Sequence, residues 1–154
     1  MSKKRNRNKH NKLSTKEPTK QKEYIALLVY GTLRKAGYNH EYFLADAVFS
    51  QKLIVSGVKL YEINMLPVAV LTNKNKNKLY AELYYIDKDN LKFIDTLEQG
   101  YKKVKISLAI RGYKSKQTAI MYVKTSEDVR KARPYRIKSG DWIEHEQAVQ
   151  TCIM

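Results

Sequence analysis

Apolar residues along this chain come in short runs separated by polar punctuation, and the spacing inside each run names its element. Ile25–Tyr30 is an uninterrupted aliphatic run ending at a glycine, short enough for a buried strand and too short for a membrane span. Leu79–Ile86 alternates: Leu79, Ala81, Leu83 and Tyr85 fall on one face, Tyr80, Glu82, Tyr84 and Ile86 on the other. Lys103–Gly112 and Gln117–Val123 read as a hairpin around Tyr113–Lys116, and Pro67–Thr72 as a further strand. Val48–Tyr61 is a long extended stretch interrupted at Gly57. The period changes at Leu91, where Leu91, Ile94, Asp95 and Glu98 recur at helical spacing. Asp87 or Asp89 supplies the cap for a helix beginning near Asn90, and Gly100 suits the position past its end. Asn39 is expected to cap a short helix through Ala45, with Tyr42 and Phe43 packing inward, and Asp141 to cap a last helix, Trp142–Gln150.

Two stretches read as non-core. Asn73–Lys78 alternates Asn and Lys between apolar runs and is expected to be a hairpin loop. Residues 125–138 are polar and basic and are expected to form a surface excursion. The whole predicts an α+β fold: a small, mostly antiparallel, barrel-like sheet with two or three peripheral helices.

Charge changes the picture at one end. Residues 1–23 hold nine Lys or Arg against two Glu, a net +7 of the chain's +15. Residues 1–22 have almost no apolar content, so they are expected to form a disordered basic tail ahead of a single domain over 23–154. Such a tail attracts nucleic acid weakly and without sequence preference, or simply aids solubility. Cys152 is the lone cysteine, so no disulfide joins the chain to itself. No apolar leader and no run of membrane-spanning length is evident, and a cytoplasmic location is expected.

Most familiar chemistries are poorly served. His10, His40 and His145 are dispersed, and Glu144-His145-Glu146 lacks the paired histidines of a zinc helix. There is no phosphate-cradling GxxxxGK[ST] and no GxGxxG. What remains is the turn Tyr30-Gly31-Thr32-Leu33. Gly31 permits a bend that a Cβ would resist. The N–H groups beyond it are expected to lack ladder partners, and the turn reads either as an ordinary glycine turn or as a concave arrangement suited to an anion or carbonyl.

That turn, with Gly37 and Asn39 after it, resembles the opening signature of the gamma-glutamylcyclotransferase-like family. Gly57 with Leu60-Tyr61 and Pro67 resembles its second block. Tyr80–Tyr84 followed by Leu91, Ile94-Asp95 and Leu97-Glu98 resembles its third, and Ser139–Trp142 a common tail. The resemblance spans roughly residues 24–143. It implies that Glu98 is the single acid/base glutamate and that Tyr30, Gly31, Thr32 and Leu33 bind substrate. The implied reaction closes a gamma-glutamyl amine or peptide to 5-oxoproline and frees the amine, with no metal or organic cofactor. Because the attack is intramolecular, holding the folded conformer and moving protons suffices. Glu82 is a second carboxylate, able to meet a substrate ammonium or to pair with a lysine, and Asp95 is expected to be solvated. If the reading holds, Glu98 and the turn share a pocket, the carboxylate within about 10 Å of the Gly31–Leu33 backbone. After Glu98, Lys102-Lys103 stands where family members often carry an arginine. Two other readings stand beside it: the same pocket binding a small amine or amino acid without turnover, and a nucleic-acid-associated protein driven by the basic tail and Arg130–Lys138.

The tail reading makes a direct prediction. Deleting residues 1–22 leaves the thermal midpoint within about 2 °C, since those residues bury little. Any nucleic-acid affinity weakens and its salt dependence flattens, measured by fluorescence anisotropy across a salt series.

Overall fold

The computed structural model describes residues 23–153, so the basic tail lies outside the described residues. In chain order the elements are β1 (Ile25–Val29), α1 (His40–Leu44), β2 (Val48–Ser56), β3 (Val58–Ile63), β4 (Leu66–Leu71) and β5 (Lys78–Ile86). There follow α2 (Lys88–Leu97), β6 (Lys102–Leu108), β7 (Gln117–Val123), α3 (Ser126–Lys131), β8 (Tyr135–Ile137) and α4 (Trp142–Ile153). The fold is α+β and mostly antiparallel, as the pattern predicts. Its strands form two open sheets rather than one curled one, in the orders β2-β5-β1-β7-β6 and β4-β3-β8. Among the described residues β1 and β7 are the parallel pair, meeting at Leu27 and Ile120. Four helical segments pack on the sheets, two of them only five and six residues long.

β1 is the central strand of the larger sheet, and its two faces feed two cores. Leu28 and Tyr30 face the smaller sheet and pack in a cluster with Leu60, Ala69, Leu83 and Met121. Leu27 and Val29 face the other way, toward Leu44 of α1 and Ile94 of α2. The alternation read in β5 sorts in the same manner: Leu79, Ala81 and Leu83 enter the first cluster, Tyr84 and Ile86 the second. Side chains alternate across a pleated strand, so a strand buried on both faces can serve two layers.

Several sequence expectations are corrected here. Val48–Tyr61 divides at Gly57, whose φ of +80° turns the chain from the larger sheet into the smaller one. Asn73–Lys78 is not a hairpin loop, because it carries the chain back from β4 to β5 in the other sheet. Its end is tied to the Gly57 crossing, where the Gly57 N–H donates to the Asn77 carbonyl at 2.8 Å. Residues 125–138 are not a surface excursion: Val129 of α3 and Ile137 of β8 are buried, and β8 pairs with β3. Local polarity hid them, because three strand residues and one helix turn need only a single inward side chain each. In α1, Leu44 is the buried anchor, while Tyr42 stands 75% exposed. A tight turn at Asn64-Met65, joining β3 to β4, gave no signal that was read from the sequence.

The ends of α2 behave as its sequence suggests. Asp87 caps the helix by accepting from the Asn90 N–H at 2.8 Å, and Gly100 follows the helix with φ +92°. Asp141 accepts from the Glu144 N–H at 3.2 Å and so caps α4. The sharpest steric demand lies just before α4. Gly140 has φ +71°, and a Cβ there would lie 1.8 Å from the Lys78 carbonyl oxygen. The contact fixes α4 against β5, since the Gly140 carbonyl also accepts from the Tyr80 N–H at 2.9 Å. Gly140→Ala is therefore expected to cost about 2–4 kcal/mol, read as a fall in the urea midpoint at unchanged slope.

Candidate active site

β1 delivers Tyr30 into the seam between the sheets, and the chain then folds back on itself over Gly31–Asn39. The Arg34 N–H donates to the Gly31 carbonyl at 3.0 Å and the Asn39 N–H to the Thr32 carbonyl at 2.9 Å. The Asn39 side chain adds a bond to the Thr32 hydroxyl at 3.0 Å. Gly37 closes the loop by close approach, since a Cβ there would sit 2.2 Å from the Thr32 carbonyl oxygen. These bonds use the carbonyls on the inside of the loop. The N–H groups of Gly31, Thr32 and Leu33 meet no acceptor among the described residues, which is the nest the sequence suggests. The reason for Gly31 differs from the one expected. Its backbone is not in the left-handed region; a Cβ would lie 2.3 Å from Cγ of Pro67. The glycine lets the turn rest on the Pro67 ring.

The loop is anchored from behind by a buried ion-pair network. Arg34 donates from Nε to Glu82 at 2.8 Å and from Nη1 to Asp141 at 2.8 Å. Glu82 also accepts from the Lys35 N–H at 2.9 Å and the Tyr84 hydroxyl at 2.8 Å. Burial pushes the Glu82 carboxyl up, but Arg34, the Lys35 N–H and Tyr84 outweigh it and hold the group below its ordinary value. Glu82 is therefore the loop's anchor. It faces away from the turn's open side, into a separate cleft with Lys35, His40 and Phe49. Its partner is an arginine rather than one of the many lysines.

On the open side of the turn lies a cavity of about 120 Å³, lined by Tyr30, Gly31, Thr32, Leu33, Leu66, Pro67, Leu97, Glu98, Tyr101 and Tyr122 among others. Glu98 and the turn thus share one cavity. Glu98 is the C-cap of α2, its N–H donating to the Ile94 carbonyl at 3.0 Å. No cation lies within salt-bridge distance of its carboxylate among the described residues. Burial alone raises its pKa from 4.5 to about 7. The contrast with Glu82 is physical: a buried carboxylate matched by its donors, and a half-buried one left without a counter-charge.

Tyrosines frame the cavity, and their roles are not legible in the sequence. Tyr30 donates to the Tyr122 carbonyl at 2.7 Å and accepts from the Ala69 N–H at 3.2 Å. Tyr101 donates to the Pro67 carbonyl at 2.7 Å, pinning α2's exit to β4. The Tyr122 hydroxyl donates to Asp95, which Lys103 also contacts at 3.1 Å. Burial pushes the Asp95 carboxyl up, yet Tyr122 and Lys103 prevail and hold it below its usual value. Asp95 is thus a positioning partner for a cavity-lining tyrosine, not a solvated bystander. The strand alternation around Tyr122 was readable; which side its face met was not.

The family model for gamma-glutamyl cyclotransferase, AIG2-like, matches residues 27–144. The chain belongs to this gamma-glutamyl cyclotransferase family. PH0828 of Pyrococcus horikoshii is 35% identical over 122 residues, covering 78% of this chain and 92% of that protein. Its crystal structure superposes with a TM-score of 0.64 over 82% of this chain and 97% of its own, at 30% identity. YkqA of Bacillus subtilis is 29% identical over 124 residues, 78% of this chain but 42% of YkqA, so the chain spans less than half of that relative. A gamma-L-glutamyl-butirosin B gamma-glutamyl cyclotransferase from Niallia circulans is 33% identical over 75 residues, 49% of this chain and 46% of that protein. Every residue named above as lining the cavity falls inside the family match. No helix among the described residues is long and apolar enough to cross a membrane.

The raised pKa of Glu98 carries a sign for stability. The native state binds the Glu98 proton more tightly than the unfolded chain, so between pH 4.5 and about 7 it holds more protons. Its contribution to stability is fully present below the unfolded value and is lost as pH rises through about 7. Glu98→Gln should remove that decline, leaving a variant on the order of 2–3 kcal/mol more stable than the parent at pH 8 relative to pH 4 after discounting for solvent at the cavity mouth. Urea titrations of both proteins across this range make the comparison.

Proposed function

We propose that this protein converts a gamma-glutamyl amine or peptide to 5-oxoproline and a free amine, with Glu98 as the acid/base. The observation that carries the reading is the shared cavity: a half-buried carboxylate with no cation beside it faces a turn whose backbone N–H groups meet no acceptor among the described residues. Family membership supports the reaction class.

The chemistry asks little more of the chain. The substrate's α-amine attacks its own γ-carbonyl, forming the ring C–N bond. The bond from that carbon to the leaving nitrogen then breaks. Glu98 takes a proton from the substrate ammonium and gives it to the departing nitrogen, and the second proton that the ring nitrogen sheds on becoming an amide leaves with the released amine, as its ammonium, or to solvent. A group with a pKa of about 7 exchanges protons in both directions near neutrality, which an ordinary carboxylate does poorly. The N–H groups of Gly31, Thr32 and Leu33 receive the developing oxyanion or the substrate carboxylate. They are held by the loop's own bonds and by Arg34, so they need not reorganise as charge develops. The cavity walls fold the substrate so that amine and carbonyl meet.

The test is a panel of gamma-glutamyl amines and dipeptides with 5-oxoproline as readout. Glu98→Gln keeps shape and hydrogen bonding but cannot accept the proton. It is expected to lower kcat by at least about a hundredfold. In the parent, kcat/KM should fall about tenfold per pH unit below pH 7, because the carboxylate is the required form. Turnover by the glutamine variant within a few fold of the parent removes the assignment, and binding without turnover by the parent leaves a binding pocket in its place.

A further inference from the structure

Away from that cavity, three aromatic rings meet at the surface. They line a groove of about 600 Å³ between α1 and α2 that shares no lining residue with the site described above. Its walls are Tyr42 and Phe43 of α1 and Phe93 of α2, the two phenylalanines stacked with ring centres 4.6 Å apart. Tyr42 and Phe93 are exposed, so the rings cover one another only in part. The register of β1 against β5 pairs Ile25 with Ile86, which brings Tyr24 into the same groove as Asp87.

The charge of the groove runs against that of the chain. Lys and Arg outnumber Asp and Glu by 30 to 15, yet Asp46, Asp87 and Asp89 line the groove and no Lys, Arg or His does. Asp87 gives one oxygen to the cap of α2. None of the three carboxylates lies within salt-bridge distance of a cation among the described residues. Lys88, beside Asp87 and Asp89 in sequence, is turned to Glu23 at 3.3 Å. Carboxylates next to aromatic faces hold an ammonium in two ways, by Coulomb attraction and by cation–π contact. A cationic segment is tethered at the same spot. Residues 1–22 hold nine Lys or Arg and one Glu, and they join the domain at Glu23, next to Tyr24. A short tether keeps such a segment at an effective concentration on the order of millimolar, so contacts too weak to join separate molecules suffice.

We propose that the groove between α1 and α2 is the docking surface for the chain's own basic N-terminal segment, with Lys16, Lys20 and Lys22 set against Asp46, Asp89 and the rings of Tyr42 and Phe93. Residues 16–22 reach about 25 Å when extended, more than the roughly 15 Å rise of α2 with its ten residues. Exposed ion pairs of this kind are weak and screened by salt. The contact therefore places the segment without adding much to the thermal midpoint. It leaves the cavity open and reduces the positive charge that the segment offers to other anions.

The test is paramagnetic relaxation in the full chain. Ser14→Cys in a Cys152→Ser background carries a nitroxide, and backbone amide signals report what it approaches. At low salt the amides of Tyr42, Asp89 and Phe93 are expected to lose at least about three times more intensity than those of β4 in the smaller sheet. That excess should fall by about half or more at 1 M salt, where the screening length is about 3 Å. Tethering alone brings the label near this end of the domain, so the variants decide. Asp46→Asn with Asp89→Asn leaves the Asp87 cap intact and should cut the excess at least about twofold. Tyr42→Ser, a change at a side chain mostly in water, should lower it as well. An excess that neither salt nor the aspartate variant changes is tethering without docking and overturns the proposal. Mixing nitroxide-bearing chains with isotope-labelled chains that lack the nitroxide checks the occupant. The same excess in that mixture gives the groove to the segment of a second copy and overturns the contact within one chain.

Discussion

A single hydroxyl joins the two sheets where the cavity begins. Tyr30 leaves the end of β1 and spans the seam, donating to the Tyr122 carbonyl of β7 and accepting from the Ala69 N–H of β4. The Ala69 carbonyl is met from the same side by the Lys124 N–H at 3.0 Å. The outward edge of β4 is thereby paired at this point without joining the larger sheet's ladder. Removing the hydroxyl would orphan a buried N–H and a buried carbonyl together, each worth roughly 1–3 kcal/mol. The same residue begins the turn that faces Glu98. The joint between the layers and the floor of the cavity are thus one structure.

From that joint the buried Glu82 and the half-buried Glu98 take opposite parts. Glu82 is surrounded by donors and holds the loop from behind; Arg34 carries the restraint onward to Asp141 and the start of α4. A buried carboxylate with this many donors stays ionised and rigid. Glu98 has burial without donors, and its proton affinity rises accordingly. One acid stiffens the backbone donors of the turn. The other lines the cavity with no cation beside it among the described residues. The tyrosine hydroxyls bear on the same division. Tyr101 and Tyr122 spend theirs on Pro67 and Asp95, so that they shape the walls without supplying a counter-charge to Glu98.

The fold by itself licenses no chemistry, since one architecture serves many activities. What ties this chain to cyclisation is its family and the meeting of Glu98 with the Gly31–Leu33 turn.

The sequence by itself determined most of the elements, and α3, β8 and the Asn64-Met65 turn were the ones it hid. Periodicity is a local property, so Ile25–Val29, the alternation of β5, the β6–β7 hairpin and α2 with its Asp87 cap were all legible. The glycine turn after Tyr30 and the position of Glu98 at the end of α2 could be read within a few residues, while the choice of Glu98 as the acid/base candidate came from the family resemblance. Only the tertiary structure decided how the strands divide into two sheets, since that depends on which faces meet and not on any one run. It moved Asn73–Lys78 from a hairpin to a crossing and drew Val129 and Ile137 into the core. It assigned Glu82 to Arg34, a partner 48 residues away along the chain. It gave Gly31 its reason, the Pro67 ring across the seam, and left Glu98 without a cation. Burial and pairing are relations between distant residues, and those relations are what separate an anchoring carboxylate from one able to move a proton.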